Sequence, residues 1–229
     1  MIDSQTLRRM PRFSGLSEAA ESWVCERLSM RSYGRGETIF LEGDPCRHFF
    51  LVQEGEVKVY KVLESGRELI LDIFHSGEAF GEVALVDGGE FPANASAMEQ
   101  ARVLILSRED YIRMLEHFPE VAHSIIRDLS LRLHSMRKRV EVLGEGGVQS
   151  RIAQMLQVYA RQMGQKTPEG ISIPVHLTRQ EMAALVCARI ETVIRIMSRW
   201  QKEELVITRP DGFLVPQTES LQDMISPGE

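Results

Sequence analysis

The apolar positions of this chain change their spacing twice along its length. Between Tyr33 and Leu106 they come in short runs at 38–41, 49–53, 57–62, 69–74 and 103–106, with glycines at 34, 36, 43, 55, 66, 77, 81, 88 and 89. Runs of this length between glycine turns predict antiparallel strands in a sandwich or barrel, of which the jelly roll is one solution. Val57-Lys58-Val59-Tyr60-Lys61-Val62 alternates with period two, as a half-buried strand does. Ahead of this region, residues 1–30 predict one or two short helices, one of them opened by Ser17 with Trp23, Val24 and Leu28 as its apolar side.

At Ser107 the period becomes helical. Ser107 is placed to cap a helix over 108–118, and Pro119 opens a longer one over 119–143. That helix carries Ala122, Ile126, Leu129, Leu133, Met136, Val140 and Leu143, spaced as a heptad seam after the first step of four. Charged residues (Arg127, Asp128, Arg132, Arg137, Lys138, Arg139, Glu141) fill its other faces. The seam has two possible partners, its own domain or a helix of a second chain, and its regularity favours the second. At about 1.5 Å per residue the helix spans about 37 Å. Gly144-Glu145-Gly146-Gly147 then marks a hinge over 144–149.

Beyond the hinge, 149–163 is helical with Ile152, Leu156 and Tyr159 on one face, and 170–177 is extended. Residues 178–205 are helical with a break, and 206–215 forms a hairpin turning at Pro210-Asp211-Gly212. The expected fold is α+β. A jelly-roll β-barrel occupies 1–118, a dimerisation helix 119–143, the hinge 144–149, and a winged helix-turn-helix 150–229.

Composition narrows the class. With 43% apolar and 26% charged residues, the 229-residue chain has the balance of an ordinary globular protein. Its longest apolar run, Met182 to Ala188, is seven residues, whereas a membrane span needs about 20. Met1-Ile2-Asp3-Ser4-Gln5 is not a basic segment leading into an apolar one, so a cytoplasmic location without a secretory signal is expected. Cys25, Cys46 and Cys187 are scattered and no Cys-x-x-Cys occurs, which leaves a disulfide framework, zinc ribbon or iron–sulfur cluster without a scaffold. They read as reduced, mostly buried thiols.

The net charge of −6 argues against nucleic acid until the chain is divided. Residues 150–229 carry nine Lys/Arg and nine Asp/Glu, whereas residues 1–149 carry eighteen and twenty-four. The C-terminal third is the part able to approach phosphate.

Within that third, Thr178-Arg179-Gln180-Glu181 has the form of a capping box and opens a short helix with Met182, Leu185 and Val186 inside. A turn at 187–190 leads into a second helix, whose Val193, Ile196, Met197 and Trp200 make one buried stripe. Glu191, Ile194, Arg195, Ser198 and Lys202 make the opposite stripe. Two such helices and a hairpin describe a winged helix-turn-helix, and five basic against two acidic residues over 178–202 suit a DNA backbone.

These residues carry a family resemblance. Thr178-Arg179-Gln180-Glu181-Met182-Ala183 and Glu191-Thr192-Val193-Ile194-Arg195-Ile196-Met197 resemble the DNA-binding signature of the cyclic AMP receptor protein/fumarate-nitrate-reduction regulator (CRP/FNR) family. Phe80-Gly81-Glu82-Val83-Ala84-Leu85 resembles its effector-binding cassette, and Gly43-Asp44, Gly55-Glu56-Val57 and Gly66-Arg67-Glu68 resemble its barrel turns. The motifs occur in the family's order from about residue 10 to 217. The resemblance implies a bacterial regulator that acts as a homodimer on palindromic double-stranded DNA. It also implies a small-molecule effector and, if the protein activates, RNA polymerase as a partner. No membrane and no enzymatic activity are implied.

By motif match, Glu191 and Arg195 contact bases. Arginine can fork onto guanine O6 and N7, and glutamate can accept from cytosine N4. Ile190 stands where the family usually has an arginine, and Ile194 also falls on the groove face. Thymine methyls are the apolar feature of that groove, so a G·C core flanked by T·A pairs is expected. Thr178, Arg179, Arg189 and Ser198 are expected at phosphates, with Thr192 completing the DNA-contacting set.

The effector set implied by the resemblance is Gly81, Glu82, Phe91, Pro92, Ala93, Arg132 and Met136. Cyclic-nucleotide binders continue the cassette to Arg-Ser/Thr-Ala, whereas this chain has Phe91-Pro92-Ala93. Phenylalanine supplies no charge-assisted pair to phosphate and proline removes a backbone donor. Met136 and Arg137 stand where the family places hydroxyls against the base. Cyclic AMP is therefore not the expected effector. The family's oxygen sensor uses an N-terminal cysteine cluster that this chain lacks; haem through His48, His75, His123 or His134, or an aromatic organic acid, remains open. Glu82 reads equally as a ligand or as a carboxylate bonding backbone amides. A cupin-type metal enzyme needs His-x-His, which does not occur. The alternative function is a cyclic-nucleotide-type regulatory module acting on a protein partner rather than on DNA.

Overall fold

The computed structural model describes residues 7, 8, 10, 13, 16–82, 84–86, 88–144 and 147–217, with backbone alone at 135 and 138–144. The chain divides into two compact units, Met1–Leu133 and His134–Glu229.

The first unit begins with α1 (Glu18–Arg27), whose cap Ser17 accepts from the Ala20 amide through its hydroxyl. Eight strands follow: β1 (Ser29–Tyr33), β2 (Thr38–Phe40), β3 (His48–Glu54), β4 (Val57–Val62), β5 (Glu68–Phe74), β6 (Ala79–Phe80), β7 (Asn94–Ala97) and β8 (Ala101–Ser107). They form two antiparallel sheets with orders β1-β8-β3-β6 and β2-β7-β4-β5. The arrangement is a jelly-roll-like sandwich. The expected jelly roll is present as two sheets rather than one closed barrel, because no strand pairing joins them among the described residues. Closure needs an unbroken ladder around the circumference. Here β6 has two residues and β2 three, too little ladder to turn the corner.

Phenylalanines fill the space between the sheets. The Phe40 and Phe91 rings stack with centroids 3.7 Å apart, Phe50 lies 5.5 Å from Phe40 and 5.2 Å from Phe80, and Phe74 lies 5.6 Å from Phe80. On the other face of the first sheet, Phe49 stacks on Tyr111 at 4.8 Å. Tyr111 belongs to α2 (Arg108–His117), which Ser107 caps by accepting from the Asp110 amide. Pro119 opens α3 (Pro119–Gly144), where its missing N–H costs nothing. The helix buries Val121 and Ile125, a pair outside the heptad row, and leaves Ile126, Leu129, Leu131, Leu133 and Met136 exposed. Val140 and Leu143, also expected in that row, lie outside the residues whose side chains are described.

The second unit holds α4 (Val148–Met163), β9 (Gln165–Thr167), β10 (Gly170–Ile173), α5 (Arg179–Leu185), α6 (Ile190–Lys202), β11 (Ile207–Arg209) and β12 (Gly212–Val215). Its sheet runs β11-β12-β10-β9. Ile152, Leu156, Met182, Val193, Met197, Trp200 and Val215 are buried in this unit. Gly212 sits at φ +137°, and a Cβ there would lie 2.1 Å from the Ile173 carbonyl oxygen, so the hairpin requires glycine at this position. No described helix is long and apolar enough to cross a membrane.

Candidate functional site

The helix-turn-helix is built by local rules that can be followed atom by atom. Thr178 Oγ1 accepts from the Glu181 amide at 3.1 Å, and Glu181 Oε2 accepts from the Thr178 amide at 2.7 Å, completing the capping box. Val186 ends α5, and Cys187 at φ +51° turns the chain toward α6. A non-glycine residue in the left-handed region is uncommon and costs on the order of 1 kcal/mol. Its thiol is exposed, unlike the buried Cys25 and Cys46, because it sits on the outside of that turn.

In α6, Val193, Ile196, Met197 and Trp200 are buried, with Trp200 fully enclosed. The opposite face presents Glu191, Ile194, Arg195 and Ser198 to solvent, together with Lys202. Ile194 is 45% exposed in mid-helix, where burial would otherwise contribute about 1.5–3 kcal/mol. Among the described residues neither Glu191 nor Arg195 is held in an ion pair. Ile190 and Thr192 are half-buried, and Arg189 is exposed at the N-cap.

Arg179 is turned elsewhere. Its guanidinium donates to Thr208 Oγ1 at 2.7 Å and lies 5.9 Å from the centre of the Phe213 ring, linking α5 to the wing hairpin β11–β12. Burial lowers its pKa from the ordinary value. Gln201 of α6 accepts from the Thr208 amide at 2.8 Å, and Arg199 donates to Gln149 of α4. Arg199, Gln201 and Thr208 were not singled out in the sequence. A polar residue that braces two elements carries no periodic signal.

In the first unit, Gly81 has φ +79°, and a Cβ there would meet Phe50 at 3.2 Å and Phe91 at 3.3 Å. Phe91 is 4% exposed, held between Phe40 and Phe50. Pro92 is exposed and Ala93 buried. Glu82 is 7% exposed and accepts from the Tyr111 hydroxyl at 3.3 Å. Val83 lies outside the described residues. The Arg132 guanidinium sits 4.7 Å from the Phe74 ring centre, within cation–π range. Met136 falls in the second unit and is 49% exposed. Of the expected effector residues, Gly81 and Phe91 meet in one aromatic cluster.

Comparison with known proteins decides the family. Residues 30–118 match the cyclic nucleotide-binding domain, and residues 150–224 match the Crp-like helix-turn-helix domain. The chain is 29% identical over 218 residues to the cyclic AMP receptor protein of Thermus thermophilus, covering 95% of this chain and 98% of that protein. The crystal structure of the Thermus thermophilus catabolite activator protein is 30% identical, covers 94% of this chain and 98% of that one, and superposes with a TM-score of 0.52. FixK2 from Bradyrhizobium japonicum, at 19% identity, shares the fold over 88% of this chain and 99% of its own, with a TM-score of 0.75.

The chain belongs to the CRP/FNR family of transcriptional regulators. As a CRP/FNR regulator it is a DNA-binding protein, and its Crp-like domain contains both helices of the helix-turn-helix. Glu191 and Arg195 share the exposed face of α6. In this member of the CRP/FNR family, the segment ten residues after Gly81 reads Phe91-Pro92-Ala93.

Proposed function

We propose that this protein is a homodimeric, effector-gated transcription factor of the cytoplasm that reads a palindromic DNA site through α6. The observation that carries the reading is the split of α6 into a buried stripe and an exposed Glu191–Ile194–Arg195–Ser198 stripe in which neither charge has an ion-pair partner among the described residues. Arg195 forks onto guanine, Glu191 accepts from cytosine, and Ile194 with Ile190 packs on thymine methyls. Thr178, Arg189, Thr192 and Ser198 border this surface and supply phosphate contacts, while Arg179 contributes by fixing the wing.

The dimer reading rests on α3. Ile126, Leu129, Leu133 and Met136 follow the 3-4-3 spacing of a coiled-coil seam and are 44–62% exposed, a row that a second copy of the helix would cover. RNA polymerase is the further partner if the protein activates.

The effector is a ligand other than cyclic AMP. Phe91 is packed into the phenylalanine cluster and has no charge to offer a phosphate, and Pro92 has no amide to donate. Relatives named for cyclic AMP therefore do not transfer their ligand to this chain. Haem or a small organic molecule fits the apolar character of the region. Selection from random duplex DNA tests the whole reading. It should enrich two inverted half-sites about 34 Å apart, each with a fixed guanine. Enrichment of no motif, or of one lacking a fixed guanine, would refute it.

A further inference from the structure

The two sheets of the sandwich each end in a short edge strand, β1 in one and β2 in the other. Where these edges face each other, a cavity of about 380 Å³ opens, a size within the range of small-molecule sites. The register fixes which side chains enter it. Ser29 and Phe50 both lie opposite Ile105, and His48 lies opposite Ser107, so Ser29, Arg31, Tyr33, His48, Phe50 and Ile105 share one face. Phe50 packs on Phe40 of the other sheet, so that face is the inner one. Inner positions of a sandwich are normally apolar, yet Ser29, Arg31 and His48 stay exposed there.

The cavity has an apolar floor and a cationic rim. Phe50, Ile39 and Ile105 form the floor with the Tyr33 ring. Of the rim cations, Arg27 is already committed: it stacks 4.1 Å from the Trp23 ring centre, pairs with Glu26 at 3.3 Å and lies 3.7 Å from Asp110. Ser107 also donates to Asp110, which places that carboxylate's charge on the Arg27 side. Arg31 and His48 have no carboxylate partner among the described residues. The Arg31 guanidinium rests 5.1 Å from the centre of the Tyr33 ring. Burial pushes the Tyr33 phenol up, so it remains a donor at neutral pH. An arginine pointing inward on an edge strand can serve only to discourage edge pairing. That role does not call for a cavity with an aromatic floor, nor for a histidine across from it.

We propose that this mouth binds a small organic carboxylate with an aromatic or aliphatic body, its carboxylate on Arg31 and His48 and its body against Phe50, Ile39 and Ile105. Its polar rim lies on β1 and β3, whereas the Gly81–Glu82 cassette follows β6 at the opposite edge of the same sheet; the two share Phe50, which a Cβ on Gly81 would meet at 3.2 Å. It goes beyond the gating reading, since binding here is measured without DNA.

Titration calorimetry of the full chain with phenylacetate, octanoate and inorganic phosphate tests it. One phenylacetate or octanoate should bind per chain, and Arg31→Gln should weaken binding about ten-fold or more while Arg31→Lys retains part of it. His48→Gln provides a second variant should Arg31→Gln fold poorly, and the His48 ring protons should shift in NMR spectra when phenylacetate is added. Absence of heat with both carboxylates, undiminished binding in folded Arg31→Gln, or phosphate competing at equal concentration would overturn the proposal.

Discussion

The Arg179 guanidinium and the Thr208 hydroxyl meet at 2.7 Å, joining α5, the first helix of the helix-turn-helix, to the wing. The contact gives a structural partner to a residue that the sequence also offers to phosphate. Arg179→Ala should lower the stability of the second unit by about 1–2 kcal/mol, the range for a partly exposed hydrogen bond to a charged donor. Urea denaturation monitored at Trp200 checks this. Full stability combined with a lost phosphate contact, seen as a shallower salt dependence of DNA binding, would return Arg179 to the DNA surface.

The exposed row on α3 predicts assembly. Leu129 and Leu133 are 44% and 62% exposed in the single chain, and burying each contributes about 1.5–3 kcal/mol. Leu129→Lys with Leu133→Lys should convert a dimer to a monomer in sedimentation, with each unit's stability changed by no more than about 0.5 kcal/mol per site. A double variant that sediments as the wild type does would place the dimer contact elsewhere.

A pH dependence of the first unit's stability is expected from His75. Its Nδ1 lies 3.2 Å from Glu56 Oε1. The hydrogen bond to Glu56 and the charges of Glu56, Glu78 and Asp72 raise its pKa above the ordinary 6.5, outweighing burial. A raised folded pKa means that the proton stabilises the folded form. The contribution is complete below the unfolded value of about 6.5 and fades as pH rises through the higher folded value. The Tm should therefore fall between pH 6 and pH 8 more steeply in the wild type than in Glu56→Gln or His75→Gln. Equal slopes in all three would refute the coupling.

Ile194 separates folding from binding. Ile194→Ser should leave stability within about 0.5 kcal/mol of wild type, since the side chain faces solvent, while weakening DNA binding at thymine positions. Matched losses in stability and affinity would mean that Ile194 belongs to the core.

Much of this was legible in the chain itself. β4 matches the predicted 57–62 run, although its alternation is broken by a register shift between Val59 and Tyr60, and only Val57 is buried. The caps at Ser17, Ser107 and Thr178 each form the hydrogen bond that their sequence position implies. Three strands of the sandwich escaped. β1 reads Ser-Met-Arg-Ser-Tyr, with polar residues on its inner face; β7 reads Asn-Ala-Ser-Ala, buried by small size rather than hydrophobicity; β6 has only two residues. In the second unit, β9 (Gln-Lys-Thr) has no apolar residue to mark it.

The inward polar residues that hid β1 also line the cavity beside it, so the position hardest to read carries the second candidate site. On α3 the heptad row was visible, but Val121 and Ile125, which hold the helix to its own unit, fall between those positions and were not. The exposed face of α6 was the most legible part of the candidate site, since a 3.6-residue period leaves little choice of which residues face outward. The Arg179–Thr208 contact was not legible, because Thr208 lies 29 residues away and only the folded chain brings them together.

The central claim is that Arg195 reads guanine in the major groove, and a thermodynamic cycle tests it most directly. Affinities of wild type and Arg195→Ala are measured for a selected duplex and for the same duplex with its fixed guanine replaced. Wild type should lose about 1–3 kcal/mol on that replacement, whereas Arg195→Ala should bind both duplexes equally. If Arg195→Ala still discriminates between them as strongly as wild type, Arg195 does not read that base, and the account of α6 as the recognition helix is contradicted.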